Sequence, residues 1–150
     1  MQLLCDEMLK GLARWLRAAG YDTEIPADGE SDRALLAHAK ASGRLLITRD
    51  RKLLEHRGAQ QSVCLLDCVD LDSCAQALSE KTAIDWLYKP LSRCLICNTP
   101  LVAFDVDATT PVPDDVKDGP LLRCPSCERI YWEGGHAKRM LKKLQRWARK

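Results

Sequence analysis

The 150-residue chain has no apolar run long enough to span a bilayer, and its opening stretch, MQLLCDEMLK, has an acid at position 6 and no small-residue cleavage site. A membrane span and a secretory signal are both excluded on that ground, and a cytoplasmic protein is expected. A large excess of charge of one sign is also lacking: 23 Lys and Arg stand against 21 Asp and Glu, a net of +2. The small total hides a partition. Residues 1–93 carry 13 basic and 14 acidic side chains, residues 94–127 carry 2 and 5, and residues 128–150 carry 8 and 2, giving −1, −3 and +6. Apolar content is 46%, so disorder is not the default, and the length allows one good domain with a small appendage.

Cysteine, by contrast, is plentiful. Eight thiols in a reducing compartment read as metal ligands or small buried hydrophobes before they read as a disulfide framework. Cys94 and Cys97 form one C-x-x-C, Cys124 and Cys127 another, with 26 residues between them. Each pair can turn both sulfurs toward one ion. Four thiolates close a tetrahedral shell around Zn²⁺ with no open position, which makes the site structural rather than catalytic; redox dithiols are the alternative. So short a segment, with few apolar residues, depends on the metal to fold. Cys5, Cys64, Cys68 and Cys74 read as core or helix-face residues.

From residue 1 to about 89, short apolar runs alternate with helical stretches. MQLLC reads as a strand and MLKGLARWLRAA as a helix with the stripe Met8, Leu9, Leu12, Trp15, Leu16 and Ala19, closed by Gly20. A weak strand follows at YDTEI, and Ser31 or Asp32 opens the helix SDRALLAHAKA, which Gly43 ends. RLLIT is the third strand, KLLEHRG a short helix, SVCLLD the fourth strand and LDSCAQALSE another helix. The alternation implies a parallel sheet covered on both faces, an α/β fold. After Pro90 the texture changes to cysteine pairs, Pro and Asp, with TTPVPDDVKDGP as a loop. The tail AKRMLKKLQRWARK has seven cations and no acid, and Met140, Leu141, Leu144 and Trp147 fall at helical spacing. Such a basic amphipathic helix suits nucleic acid or simple docking on its own domain.

In an open α/β sheet, ligands collect beyond the carboxyl ends of the strands. Asp6 and Glu7 leave the first strand, Asp50 ends LLITRD, and Asp32 opens a helix that begins on the same edge. Carboxylates gathered there repel one another, and a hard divalent cation, Mg²⁺ or Mn²⁺, relieves the repulsion. Taken singly, Asp32 is equally a helix cap and Glu7 a solvated helix-start residue. A metal held by carboxylates with open water positions suits phosphate chemistry. Lys10 and Arg14, at i and i+4 on one helix face, together with Arg49 and Arg51, would then hold flanking phosphates.

MLKGLARWLRAAGYD, SDRALLAHA, RLLITRD, SRCLICN and CPSCERIYWEGGH together resemble the PIN-like ribonuclease family typified by the C-terminal domain of the mutator exonucleases, with an attached zinc ribbon. The likeness runs from about residue 3 to 140. It implies a PIN-like sheet with catalytic, metal-binding acids at Asp6, Asp32 and Asp50, acting on RNA; a fourth acid of the type would fall at Asp67 or Asp28. A His after the aromatic strand, here His136, belongs to the likeness too, although a packing role fits it equally.

The expectation is therefore a PIN-like nuclease domain over 1–89 and a zinc ribbon with a basic C-terminal helix over 90–150. The activity expected is Mg²⁺- or Mn²⁺-dependent hydrolysis of RNA, with Zn²⁺ at Cys94, Cys97, Cys124 and Cys127. Lys138, Lys142, Lys143 and Arg146 of the tail, and Arg93, Arg123 and Arg129 of the ribbon, become candidate RNA contacts, and a homodimer stays open. Two rivals remain: a non-catalytic RNA-binding zinc protein, and a receiver-like phosphoacceptor in which Asp6-Glu7, Asp50 and Lys89-Pro90 would play the acidic pair, phosphorylated Asp and Lys.

Overall fold

The computed structural model describes residues 1–104 and 120–149. Its first sheet is built from β1 (Gln2–Cys5), β2 (Asp22–Glu24), β3 (Leu45–Thr48) and β4 (Val63–Leu65), all parallel, in the order β2-β1-β3-β4. The period-2 alternation of a strand decides which residues face which layer. Leu3, Cys5, Ile47 and Cys64 point into the larger cluster, with Leu12, Leu16, Ala75 and Leu78 from α1 (Lys10–Ala18) and α3 (Leu71–Lys81). Leu4 and Leu46 point the other way, onto Leu35 and Ala39 of α2 (Asp32–Ser42) and onto Leu53. Helices thus cover both faces, as near-continuous apolar strands require.

Local chemistry sets the ends of the elements. Ser31, not Asp32, caps α2, its hydroxyl accepting from Ala34 N at 3.1 Å, and Gly43 closes that helix at φ +67°. Asp70 and Ser73 form a reciprocal capping box on α3. Gly20 is required where it stands. It has φ +102°, and a Cβ there would lie 2.5 Å from the Lys89 carbonyl oxygen.

The cysteine segment forms an antiparallel sheet of β5 (Val102–Phe104), β6 (Leu121–Arg123) and β7 (Ile130–Tyr131), and then α4 (Gly135–Ala148). The helix returns to the first domain: Met140, Leu144 and Trp147 are buried in the cluster that holds Leu12 and Leu16. The Trp147 ring packs edge-on against Trp15 and Trp86, with centroids 5.3 and 4.8 Å away, and its Nε1 donates to Asp72 at 2.8 Å. The docking role of this helix is thereby real, and it shares one core with the sheet.

A polar seam joins the two halves elsewhere. Arg17, buried on α1, donates to Thr23 O at 2.8 Å, to Leu95 O at 3.0 Å and to Ile96 O at 3.1 Å. The Asn98 side chain accepts from Thr23 N at 2.9 Å and donates to Asp22 Oδ1 at 2.6 Å, so it occupies hydrogen-bonding positions on the edge strand β2. An open edge is an aggregation hazard, and the ribbon covers this one.

Several sequence expectations are corrected. The first helix begins with a 3₁₀ turn over Glu7–Leu9, which turns Met8 out to 70% exposure instead of placing it in the apolar stripe. KLLEHRG is a 3₁₀ turn (Arg51–Glu55) with a second following at Ala59–Gln61. Cys68 and Cys74 are buried but joined as a disulfide, Cα atoms 5.0 Å apart, because the bend into α3 brings a residue before its cap against one on its first turn. The receiver-like reading fails on topology: Lys89 N donates to Ala19 O at the far end of α1, whereas Asp50 follows β3 on the opposite edge of the sheet. The loop TTPVPDDVKDGP lies, but for Pro120, outside the described residues.

Candidate active site and metal centre

Asp6 and Asp50 leave the neighbouring strands β1 and β3 at their carboxyl ends, and one hydroxyl links them. Thr48, fully buried at the last position of β3, donates to Asp6 Oδ2 and accepts from Asp50 N at 3.0 Å. Asp6 is itself only 5% exposed. Its other carboxylate oxygen accepts from Met8 N at 2.9 Å, and its N–H continues the sheet by donating to Ile47 O at 3.1 Å. Asp50 Oδ1 accepts from Lys52 N at 2.9 Å, capping the next turn. Each carboxylate is thus fixed by a backbone N–H and keeps acceptor capacity beyond the bonds named.

Asp32 stands in the first turn of α2, and His56 from the loop after β3 reaches it, Nε2 to Oδ2 3.8 Å. Glu7 Oε2 accepts from Gly29 N at 3.2 Å, a loop-tethering role. Lys10 pairs with Asp28 at 2.7 Å, which commits one of the two candidates for a fourth acid; Asp67, the other, is exposed just beyond β4. Arg14, Arg49 and Arg51 are exposed, with Arg49 and Arg51 flanking Asp50. On α4, Lys138 and Lys142 are exposed, while Lys143 and Arg146 lie 3.9 and 3.1 Å from Asp72 and so face the protein's own acid.

The three acids share an edge but do not close into a ligand shell. Among the described residues, the set of three or more His, Cys, Asp or Glu gathered tightly enough to hold an ion is Cys94, Cys97, Cys124 and Cys127, whose sulfurs all lie within 4.8 Å of one another. A tetrahedral Zn²⁺ with bonds of about 2.3 Å spaces its sulfurs about 3.8 Å apart. Cys94 and Cys127 have sulfurs 3.7 Å apart, so the cluster fits the ion.

The two cysteine pairs reach this arrangement by the same local device. Asn98 N donates to Cys94 O at 3.0 Å and Glu128 N to Cys124 O at 2.8 Å, and both residues, immediately after the second cysteine, have positive φ, 67° and 64°. Asn tolerates that region and Glu does not, so Glu128 carries some strain that the knuckle holds in place. Sulfur receives donors as a thiolate should: Cys97 N lies 3.3 Å and the Tyr131 hydroxyl 3.1 Å from Cys94 Sγ. The Arg129 backbone N–H, with its guanidinium, holds the Cys127 thiol down at about 6, which favours the ligating form.

Thr48, His56, Arg17 and Asn98 have site or seam roles that spacing did not assign. For Thr48 a signal existed: a β-branched hydroxyl closing an apolar strand two residues before an acid can bond that acid's N–H.

A family model of the Mut7-C RNAse domain matches residues 1–144. The human exonuclease mut-7 homolog is 30% identical over 107 residues, covering 65% of this chain and 12% of the relative's own length. No solved structure matches the chain.

Proposed function

The chain belongs to the Mut7-C RNAse domain family, and we propose that it is a metal-dependent ribonuclease working at the carboxyl edge of the parallel sheet. The observation that carries the reading is the Thr48 bridge, whose hydroxyl donates to the Asp6 carboxylate and accepts from the Asp50 N–H, so that two acids are fixed where adjacent strands end, at the edge where α/β ligands bind. The donor set is all hard oxygen, and a small number of carboxylates with water completing the shell is what Mg²⁺ and Mn²⁺ take. Asp6 and Asp50 would hold such an ion, with Asp32 reaching it through water.

When bound, the ion supplies polarisation of a phosphoryl oxygen and a water of lowered pKa. Thr48 fixes the Asp6 carboxylate, so it would take an ion without turning about its side chain. Arg49 and Arg51 offer charge to the phosphates flanking the scissile bond. Lys10 does the same after exchanging its partner Asp28, a pair whose side chains are 51% and 75% exposed and which is therefore cheap to break.

The test is to incubate the purified protein with mixed single-stranded and structured RNAs, with Mn²⁺, Mg²⁺ or neither. Metal-dependent shortening of RNA that is lost in Asp50→Asn supports the reading. Binding without cleavage under every metal condition would leave a non-catalytic RNA-binding protein.

A further inference from the structure

A groove of about 750 Å³ lies between the ribbon, the Cys94–Cys97 knuckle, the first turns of α4 and the side of α1. It uses neither the carboxylates nor the cysteine sulfurs. Ile96, Leu122, Tyr131 and Trp132 give it an apolar and aromatic lining. Among the described residues, its charged lining is Arg14, Arg93 and Arg129 against one acid, Glu133. Ile96 is 52% exposed although it sits between two zinc ligands, where a purely structural knuckle gains nothing from an apolar side chain facing water.

We propose that this groove binds single-stranded RNA, with bases against Trp132 and Ile96 and phosphates on Arg14. Three features select that occupant. Flat aromatic surface beside cations is what unpaired bases on a phosphate backbone require, and stacking is tolerant of sequence. A cleft of this volume admits a short run of splayed nucleotides but not a base-paired duplex, whose bases are already stacked and whose grooves are read by shape. Position completes the case, for Arg14 lines the groove and lies one turn along α1 from Lys10, about 6 Å by helical rise. That turn leads to Asp6, so a strand leaving the groove along α1 arrives at the carboxylates. The inference rests on the nuclease reading for its purpose, and the groove itself stands on the lining and charge alone.

The experiment uses the zinc-loaded full chain in buffer free of Mg²⁺ and Mn²⁺. Fluorescence anisotropy reads the affinity for a short labelled oligouridine and for an RNA duplex of equal length. The parent is expected to bind the single strand about tenfold tighter than the duplex, and Trp132→Ala and Ile96→Glu each to lose about tenfold in single-strand affinity. Ile96→Glu changes an exposed side chain, so retained zinc and an unchanged melting temperature separate its effect from unfolding. Unchanged affinity in a folded Ile96→Glu, or equal binding of the duplex, overturns the site. Displacement of RNA by apolar peptides alone, with Arg14→Gln silent, would make it a peptide groove and overturn it too. Groove-dependent binding without cleavage in Mn²⁺ would sink the nuclease and leave the groove; cleavage with both groove variants binding normally would do the reverse.

Discussion

The four-cysteine site and the acid site both bring charged ligands together, and they do so by opposite means. In the ribbon, each C-x-x-C closes on itself through hydrogen bonds within a few residues, so two local knuckles need only meet once. In the sheet, Asp6, Asp32 and Asp50 come from three separate segments, and only the order β2-β1-β3-β4 makes neighbours of the strands carrying Asp6 and Asp50. The cysteine sulfurs therefore lie within 4.8 Å of one another, while each carboxylate is held separately by its own backbone donor. Within the thiolate cluster like charge is offset unevenly, for donors from Arg129 lower the Cys127 thiol while Cys127 pushes its neighbour Cys97 up to about 12.

The largest effect should appear on the acid side. Asp50→Asn keeps the cap on the following turn but removes the charge, and Mn²⁺-dependent RNA cleavage should fall about a hundredfold or more, with the melting temperature unchanged or raised. Asp6→Asn should match it, and the double variant should be hardly worse than either, since ligands of one ion do not act additively. Thr48→Val tests the bridge. It leaves both acids in place and should cost about 10- to 100-fold in activity, with a higher Mn²⁺ concentration needed for half-maximal rate. Cleavage by Asp50→Asn at the parent's rate would remove the acid site from consideration.

Metal removal should separate the two sites. Metal analysis is expected to find about one zinc per chain, and Cys127→Ser should lose it and open residues 90–150 to protease. Because Arg17 and Asn98 fasten the first knuckle to β2, the loss should also lower the melting temperature of the sheet domain. A ribbon that stays folded and protease-resistant without zinc would contradict the structural role of the site.

How much of this was legible follows the same division. The C-x-x-C pairs announce their site because spacing alone fixes local geometry, and the alternation of apolar strands with helices announces the parallel sheet. Asp6 and Asp50 could be placed on one edge from that alternation, but the Thr48 bridge depends on the register Cys5↔Ile47, which no single segment encodes. The seam was illegible for a related reason. Arg17 reads as one more cation on a basic helix, and only folding shows it spent on three carbonyl oxygens. Its spacing to Leu12, Leu16 and Ala13 places it at the boundary of the buried face, where a long side chain can reach inward.

The seam gives the intermediate effect. Arg17→Met preserves bulk but leaves the oxygens of Thr23, Leu95 and Ile96 without their donor, and chemical denaturation should show a loss of about 2–4 kcal/mol. A smaller effect belongs to α4. Lys138→Gln with Lys142→Gln should flatten the dependence of RNA affinity on salt by about 1.5 in log–log slope, whereas Lys143→Gln with Arg146→Gln should change it less, because Asp72 already engages those two. Slopes equal to the parent's in both double variants would mean that the helix touches no RNA.

The smallest expected effect is set by pH at the point where the two regions join. Burial alone would raise Asp22, but the hydrogen bonds from Arg44 and Asn98 outweigh it and hold its carboxyl below the ordinary value of 3.8. A carboxylate depressed in the folded state binds its proton more readily when unfolded, so its contribution to stability is complete above the ordinary value and disappears as pH falls through the depressed one. Denaturant midpoints of the parent and Asp22→Asn should therefore differ by about 1 kcal/mol at neutral pH and converge under strong acid. Asn98→Ala should remove part of the same difference while leaving the Arg44 pair, because only one of the two donors crosses from the ribbon. If the gap between parent and Asp22→Asn is the same at pH 7 as under strong acid, the Asp22 charge does not hold the seam, and the ribbon and sheet would be joined through Arg17 and through Trp147 and its neighbours on α4.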